Sequence, residues 1–162
     1  MSPKTILGID PALTQTGWGI ISCYQNHLSF IACGTITTNQ KQPLDERLHQ
    51  IYQSISKVIN LYKPDEIAIE ETFVNKNAVS SLKLGHARGV LMLSGAIAGL
   101  KIYEYASTSI KKTVAGVGRA DKNQIGVMIK YLLPQAVVKS EDEADALAVA
   151  ICHNSFKKPY LT

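Results

Sequence analysis

Between Ala144 and Cys152 every residue is apolar except Asp145. A helix that is apolar on all sides is one the fold buries, so this segment has to be enclosed by other layers. A carboxylate inside it needs a cation or a ligated metal to offset its desolvation. On a helical wheel Asp142, Asp145, Ala146, Val149 and Cys152 share one face, so two aspartates head a stripe that continues as core. The helix opens at Ser140-Glu141-Asp142-Glu143, where Ser140 and Glu143 fit a capping box and the acids suit the positive end of the helix dipole. Asp142 is explicable by the dipole alone, whereas Asp145 is not.

The layers that enclose such a helix can be read upstream. Short strand-like runs at Thr5 to Asp10, Trp18 to Tyr24 and Leu28 to Thr37, joined by tight turns, predict a three-stranded antiparallel meander. Pro43 to Tyr62 carries apolar residues at helical spacing and is stopped by Lys63-Pro64. Ile67 to Ile69 is a fourth strand, Asn77 to Leu100 has a helical composition, and Ile102 to Tyr105 is a fifth strand. Ser107 and Thr108 are candidate N-caps for a helix through Val114, and a helix from Lys122 to Leu133 ends at Pro134. This order predicts an α/β fold: a five-stranded mixed sheet, three strands antiparallel and then two parallel, flanked by helices. With 162 residues, 46% of them hydrophobic, the expectation is one domain over residues 1–156 and a short loose tail over 157–162.

Two further acids sit where strands end. Asp10 follows Ile6-Leu7-Gly8-Ile9, and Glu70 follows Ile67-Ala68-Ile69 with Glu71 beside it; acids are depleted in strands. Period-two alternation puts Glu70 on the face of Ala68 and Glu71 on the face of Ile69. Each also has an ordinary explanation, Asp10-Pro11 as a turn starter and either glutamate as an exposed strand end. Together, two strand-end carboxylates and an i, i+3 aspartate pair on a helix packed on the same sheet can converge on one spot. Four oxygen donors without His or Cys suit Mg²⁺ or Mn²⁺ rather than zinc. Two such ions about 3.5–4 Å apart can activate a water and stabilise the leaving oxygen of a phosphodiester. The phosphate-loop, serine-hydrolase and zinc-protease signatures are missing. The histidines His27, His49, His86 and His153 are scattered and read as surface or core residues, and Cys23, Cys33 and Cys152 read as core thiols.

Charge is segregated along the chain. Residues 72–139 hold ten basic residues against two acids, a net of +8, while the remainder carries a net of −4. Such a segment suits an anionic partner such as nucleic acid. No apolar run approaches the ~20 residues of a membrane helix, and the N-terminal residues lack a signal-peptide pattern, so the expected compartment is the cytoplasm.

Gly8-Ile9-Asp10-Pro11, Thr16-Gly17-Trp18-Gly19, Ile69-Glu70 with Phe73, Ala87-Arg88-Gly89-Val90 and Asp142-Glu143-Ala144-Asp145-Ala146-Leu147-Ala148 together resemble the RuvC family of Holliday junction resolvases, in order and over roughly residues 4 to 154. The resemblance implies an RNase H-like fold, a divalent-metal-dependent homodimer, and paired symmetric nicks in a four-way DNA junction during recombination and repair. It implies Asp10, Glu70, Asp142 and Asp145 as the metal-binding catalytic acids, leaving Glu71 aside. It implies DNA contacts by Phe73 against junction bases, by Lys111 and Lys122 near the scissile phosphate, and by Arg119 on the backbone, with the branch-migration proteins RuvA and RuvB as partners. The small residues of Gly85 to Gly89 and Gly95 to Gly99 suit packing on the sheet, a two-fold contact, or both.

Ala12 departs from the glycine usual after Gly-Ile-Asp-Pro, and would be strained if that position required a positive φ. The competing readings are an RNA-cleaving relative of the same fold and a junction-binding module without chemistry; a pure binder has no use for converging acids, which repel phosphate without metal. An actin-like ATPase, suggested by Gly8-Ile9-Asp10 alone, needs a second domain and a second phosphate loop.

Overall fold

The computed structural model describes residues 2–71 and 76–156. Strands β1 (Lys4–Asp10), β2 (Gln15–Tyr24) and β3 (His27–Thr37) form the expected meander. Helix α1 (Leu44–Tyr62), strand β4 (Glu66–Glu70), helix α2 (Ala78–Ile97) and strand β5 (Lys101–Tyr105) follow, and then helices α3 (Ser107–Ala115), α4 (Lys122–Leu132) and α5 (Glu141–Ser155). The sheet order is β3-β2-β1-β4-β5, with β1 antiparallel to β2 and parallel to β4, and β4 parallel to β5. The fold class is therefore the one the element order predicts.

Alternation along the central strands divides the core in two. Leu7, Ile9, Ile67 and Ile69 face α1 and α2, where Ile51, Ile55 and Ile59 recur every four residues along the buried side of α1. Ile6 and Ala68 face α3, α4 and α5. Continuing the alternation places Asp10 and Glu70 on the α5 side of two adjacent strands, because Ile9 pairs with Ile69 one residue earlier.

Helix α5 is the central element, buried from Glu143 to His153 apart from the half-buried Asp145. It reaches the sheet so closely because three residues beneath it have no Cβ. A Cβ on Gly8 would stand 2.1 Å from the Ala146 oxygen, one on Gly17 2.0 Å from the Asp142 oxygen, and one on Gly19 2.7 Å from the Leu147 side chain. At its C-terminal end α5 is clamped by a polar cluster. The Glu66 carboxylate takes Lys4 Nζ at 2.5 Å and His153 Nε2 at 2.6 Å, and Tyr105 Oη lies 2.7 Å from His153 Nδ1. Burial lowers the His153 pKa despite the pull of Glu66, so the ring is neutral, donating from Nε2 and accepting the Tyr105 hydroxyl at Nδ1. Burial alone would raise Glu66, but hydrogen bonds from Lys4 and His153 bring it below the ordinary value. His153, a filler by its sequence position, is thus a structural link between α5, β4 and β5.

Several local expectations are corrected. β2 begins at Gln15 rather than Trp18, since pairing with both β1 and β3 extends it into the turn-rich segment. α2 stops at Ile97, before Gly99 turns left-handed at φ +73°. Ala106, not Ser107 or Thr108, caps α3, and no side chain bonds the cap. The Ser140 cap forms, but Glu143 reaches past it to the Lys139 amide at 2.6 Å; the full capping box is at Asp121 and Gln124 on α4. Ala12 does not have a positive φ and accepts the Thr16 hydroxyl on its carbonyl at 2.6 Å, so alanine fits there without strain. All three cysteines are free. Phe73 and residues 157–162, assigned from sequence to junction contact and to a tail, lie outside the described residues.

Candidate active site

A cleft of about 290 Å³ opens where β1 and β4 end beside α5. Asp10, Glu70 and Asp145 line it together with Lys111 and Ser107 of α3 and Lys122 of α4. The two strands deliver Asp10 and Glu70 side by side, and the glycine bed under α5 brings Asp145 over them. Asp142, one helical turn earlier, is outside the lining but within electrostatic reach of both Asp10 and Asp145. Glu71 is exposed, its amide bonded to the Tyr105 carbonyl at 2.8 Å. The alternation that separates Glu70 from Glu71 therefore holds.

The acids repel one another. Asp10 is pushed up to about 8, first by burial and then by the charges of Glu70, Asp145 and Asp142 and a hydrogen bond with Glu70. Asp145 is raised to about 6 by burial, against the lowering effect of Lys122, with Glu70, Asp142 and Glu141 adding to the rise. Lys122 is raised chiefly by its hydrogen bond to Glu141, at 2.8 Å, and further by the charges of Asp145, Glu141 and Asp142. Packed carboxylates that hold protons near neutral pH are short of positive charge. The donor set is all oxygen, which fits a hard divalent cation. Among the described residues no three His, Cys, Asp or Glu side chains already enclose a metal position; the acids border an open cleft.

Of the basic residues selected from sequence, Lys111 and Lys122 line the cleft. Arg119 is exposed on the connection between α3 and α4 and does not line it. Ser107, a capping candidate by residue type, instead lines the cleft, a position that composition and spacing do not signal. The roles of Gly17 and Gly19 under α5 escape the sequence reading too, although the Gly-x-Gly spacing on one strand face is visible there.

The family described as crossover junction endodeoxyribonuclease RuvC matches residues 6–153. The crossover junction endodeoxyribonuclease RuvC of Rhodopseudomonas palustris (strain BisA53) is 55% identical over 151 residues, which cover 93% of this chain and 87% of that protein. The protein of the same name from Rhizobium leguminosarum bv. trifolii (strain WSM2304) is 53% identical over 148 residues, 91% of this chain and 88% of that one. The structure of T. thermophilus RuvC in complex with a Holliday junction substrate superposes with a TM-score of 0.87, at 27% identity and covering 93% of each chain. On fold, length matched and identity alike, this chain belongs to the RuvC family of crossover junction endodeoxyribonucleases.

Proposed function

We propose that this chain resolves four-way DNA junctions by paired, symmetric, metal-dependent nicks, with Asp10, Glu70, Asp142 and Asp145 as the acids that hold the metal. The observation that carries this reading is the convergence of three of those acids with Lys111 and Lys122 in one cleft. It is reinforced by the proton held on Asp10 up to about pH 8, which a divalent cation would displace. Family membership implies divalent metal dependence; we assign Mg²⁺, with Mn²⁺ as a substitute and two ions per cleft. When bound, the ions would supply Lewis acidity to an attacking water and to the leaving oxygen.

The chain's own residues do the rest. Asp10 and Glu70, fixed on adjacent strand ends, and Asp145, fixed by the seating of α5, keep the donors in place without a loop having to close. Lys111 and Lys122 face the acids across the cleft and offset the charge of the incoming phosphodiester. Arg119, exposed beside α4, is free to meet the backbone away from the chemistry, and Phe73 is assigned to the opened bases. A two-fold dimer puts two such clefts on a substrate that is itself pseudo-two-fold. For its interface we assign the outer side of α2, where Leu82, Leu93 and Ile97 are 64%, 56% and 63% exposed and a Cβ on Gly85 or Gly89 would meet nothing within 4 Å. RuvA and RuvB are the partners assigned for branch migration.

Cleavage of a synthetic mobile four-way junction, set beside linear duplex and RNA–DNA hybrid with Mg²⁺ and with chelator, tests this reading. Symmetric nicks confined to the junction and abolished by chelator are expected. Cleavage of the hybrid instead, or binding without any cleavage, would overturn it.

A further inference from the structure

A second groove, of about 520 Å³, opens on the other side of Lys122. One wall is α4, through Lys122, Val127 and Lys130, and the other is the segment entering α5, through Val138, Lys139 and Glu141. Lys122 lines both this groove and the acid cleft, so the two spaces share one ammonium. We propose that the groove binds the DNA backbone next to the scissile phosphate, with Lys130 and Lys139 as its phosphate-binding residues. This rests on the reading above that the substrate is a four-way DNA junction.

Charge is the first reason. Three lysines meet a single acid, Glu141, and that carboxylate is already paired with Lys122 at 2.8 Å. Asp142, the next acid along α5, does not line the groove, and Glu143 is buried and turned inward, its carboxylate accepting from the Lys139 amide and from Cys33 Sγ. The groove's net charge therefore rests on Lys130 and Lys139, both exposed and one on each wall. Two exposed lysines on opposite walls of one groove give it a positive potential that suits an anion.

Continuity is the second reason. A strand whose phosphate lies over Asp10, Glu70 and Asp145 has to leave the cleft, and the shared Lys122 marks one exit. Val127, 65% exposed on the α4 wall, offers an apolar surface suited to a sugar ring rather than to a second phosphate. An acidic peptide would match the charge but would have no reason to be continuous with the catalytic cleft.

Anisotropy titrations of a labelled four-way junction, in chelator and across a salt series, test the assignment. The variants are Lys130→Ala/Lys139→Ala and, with the same charge removed from the exposed α1 side, Lys41→Ala/Lys57→Ala. Removing one lysine that neutralises a phosphate should flatten the slope of log affinity against log salt by about 0.9. The groove variant should thus lose close to two units of slope and bind about tenfold or more weaker, while the control changes far less. Equal losses in both variants, or no loss in the groove variant while the unmodified protein binds, would overturn the groove. Failure of the unmodified protein to bind the junction would overturn the underlying reading, and the groove with it.

Discussion

Gly17 of β2 lies flat against the main chain of Asp142 in α5: a Cβ on Gly17 would stand 2.0 Å from the Asp142 carbonyl oxygen and 2.5 Å from its carbonyl carbon. The clash would be with backbone, which cannot swing aside as a long side chain can. Gly17 also pairs with Asp10 across the sheet. One glycine thus sets the height of α5 over the strand that carries another of the proposed acids.

Gly17→Ala should therefore damage both stability and activity. Overpacking of this kind costs about 1–3 kcal/mol and sometimes more, which for a chain of this length corresponds to a Tm lower by roughly 2–12 °C. Junction cleavage should fall more steeply than the folded fraction, because α5 must lift or slide to make room. Gly126→Ala is the contrast: its Cβ would meet nothing within 4 Å on α4, so the change should be neutral or stabilising by up to about 1 kcal/mol. Equal melting temperatures for the two variants would refute the packing account.

Much of this architecture is legible in the sequence, for definable reasons. The run from Ala144 to Cys152 with one aspartate in it can only be a buried helix with a purpose for its acid, and period-two alternation alone separates Glu70 from Glu71. Proximity across the chain is harder to read. The approach of α5 to Gly8, Gly17 and Gly19 depends on where a helix lands some 130 residues later. The link from Tyr105 to His153 and Glu66 joins three elements with no sequence periodicity in common. Ser107 misleads because a good capping residue type also serves at a cleft wall, and only the backbone shows that Ala106 is the cap.

Asp145→Asn should abolish cleavage while leaving junction binding intact. The substitution preserves shape and removes one negative charge from a site where the charges of Glu70 and Asp142 already raise the pKa of Asp10. Loss of one electrostatic partner of a transition state typically lowers a rate by about 10²–10³, and nicking should drop at least that far. In chelator, binding should be equal or tighter, because an acid that repels phosphate is gone. Weaker binding in parallel with lost cleavage would mean that Asp145 supports the fold rather than the chemistry.

The acid cluster should also give the metal-free protein an unusual pH profile. Asp10 and Asp145 are raised from 3.8 to about 8 and about 6. A carboxyl whose pKa is higher folded than unfolded stabilises the fold fully below the unfolded value, and the contribution is lost as pH climbs through the folded one. Thermal stability in chelator should therefore decline between about pH 4 and pH 8. Asp10→Asn, which cannot ionise, should flatten the decline. Mg²⁺ should reverse it, binding with release of protons and more tightly as pH rises towards 8. Melting curves at stepped pH with and without the ion, and calorimetry in buffers of different ionisation enthalpy, read these effects. A profile of Asp10→Asn identical to that of the unmodified protein would remove the coupling.

Tyr105→Phe should separate structure from chemistry. The Tyr105 hydroxyl donates to His153 at 2.7 Å in a buried setting, and its loss leaves the ring nitrogen without that partner, a cost of about 1–3 kcal/mol. Because the link clamps the end of α5 away from Asp142 and Asp145, Tm should fall while the cleavage rate of the folded protein stays near normal. A large loss of cleavage at a temperature where the variant is fully folded would place the network in the site's control instead.

The α2 surface makes the last prediction. Leu82, Leu93 and Ile97 project from one helix into solvent at more than half exposure, and between them Gly85 and Gly89 leave room for close approach by another helix. A charge at the centre of that stripe should be tolerated by a monomer and rejected by a dimer. If the proposed two-fold contact is this surface, Leu93→Glu shifts the protein from dimer to monomer in sedimentation, with little change in the melting of the isolated chain because Leu93 lies outside the core. The monomer keeps a complete acid cleft, so on a junction held in a closed circular plasmid it should give single nicks where the proposed dimer should give a linear product from two nicks made within one binding event. A Leu93→Glu protein that still sediments as a dimer would move the two-fold contact elsewhere, and paired nicking by a proven monomer would show that symmetry of the substrate alone is enough.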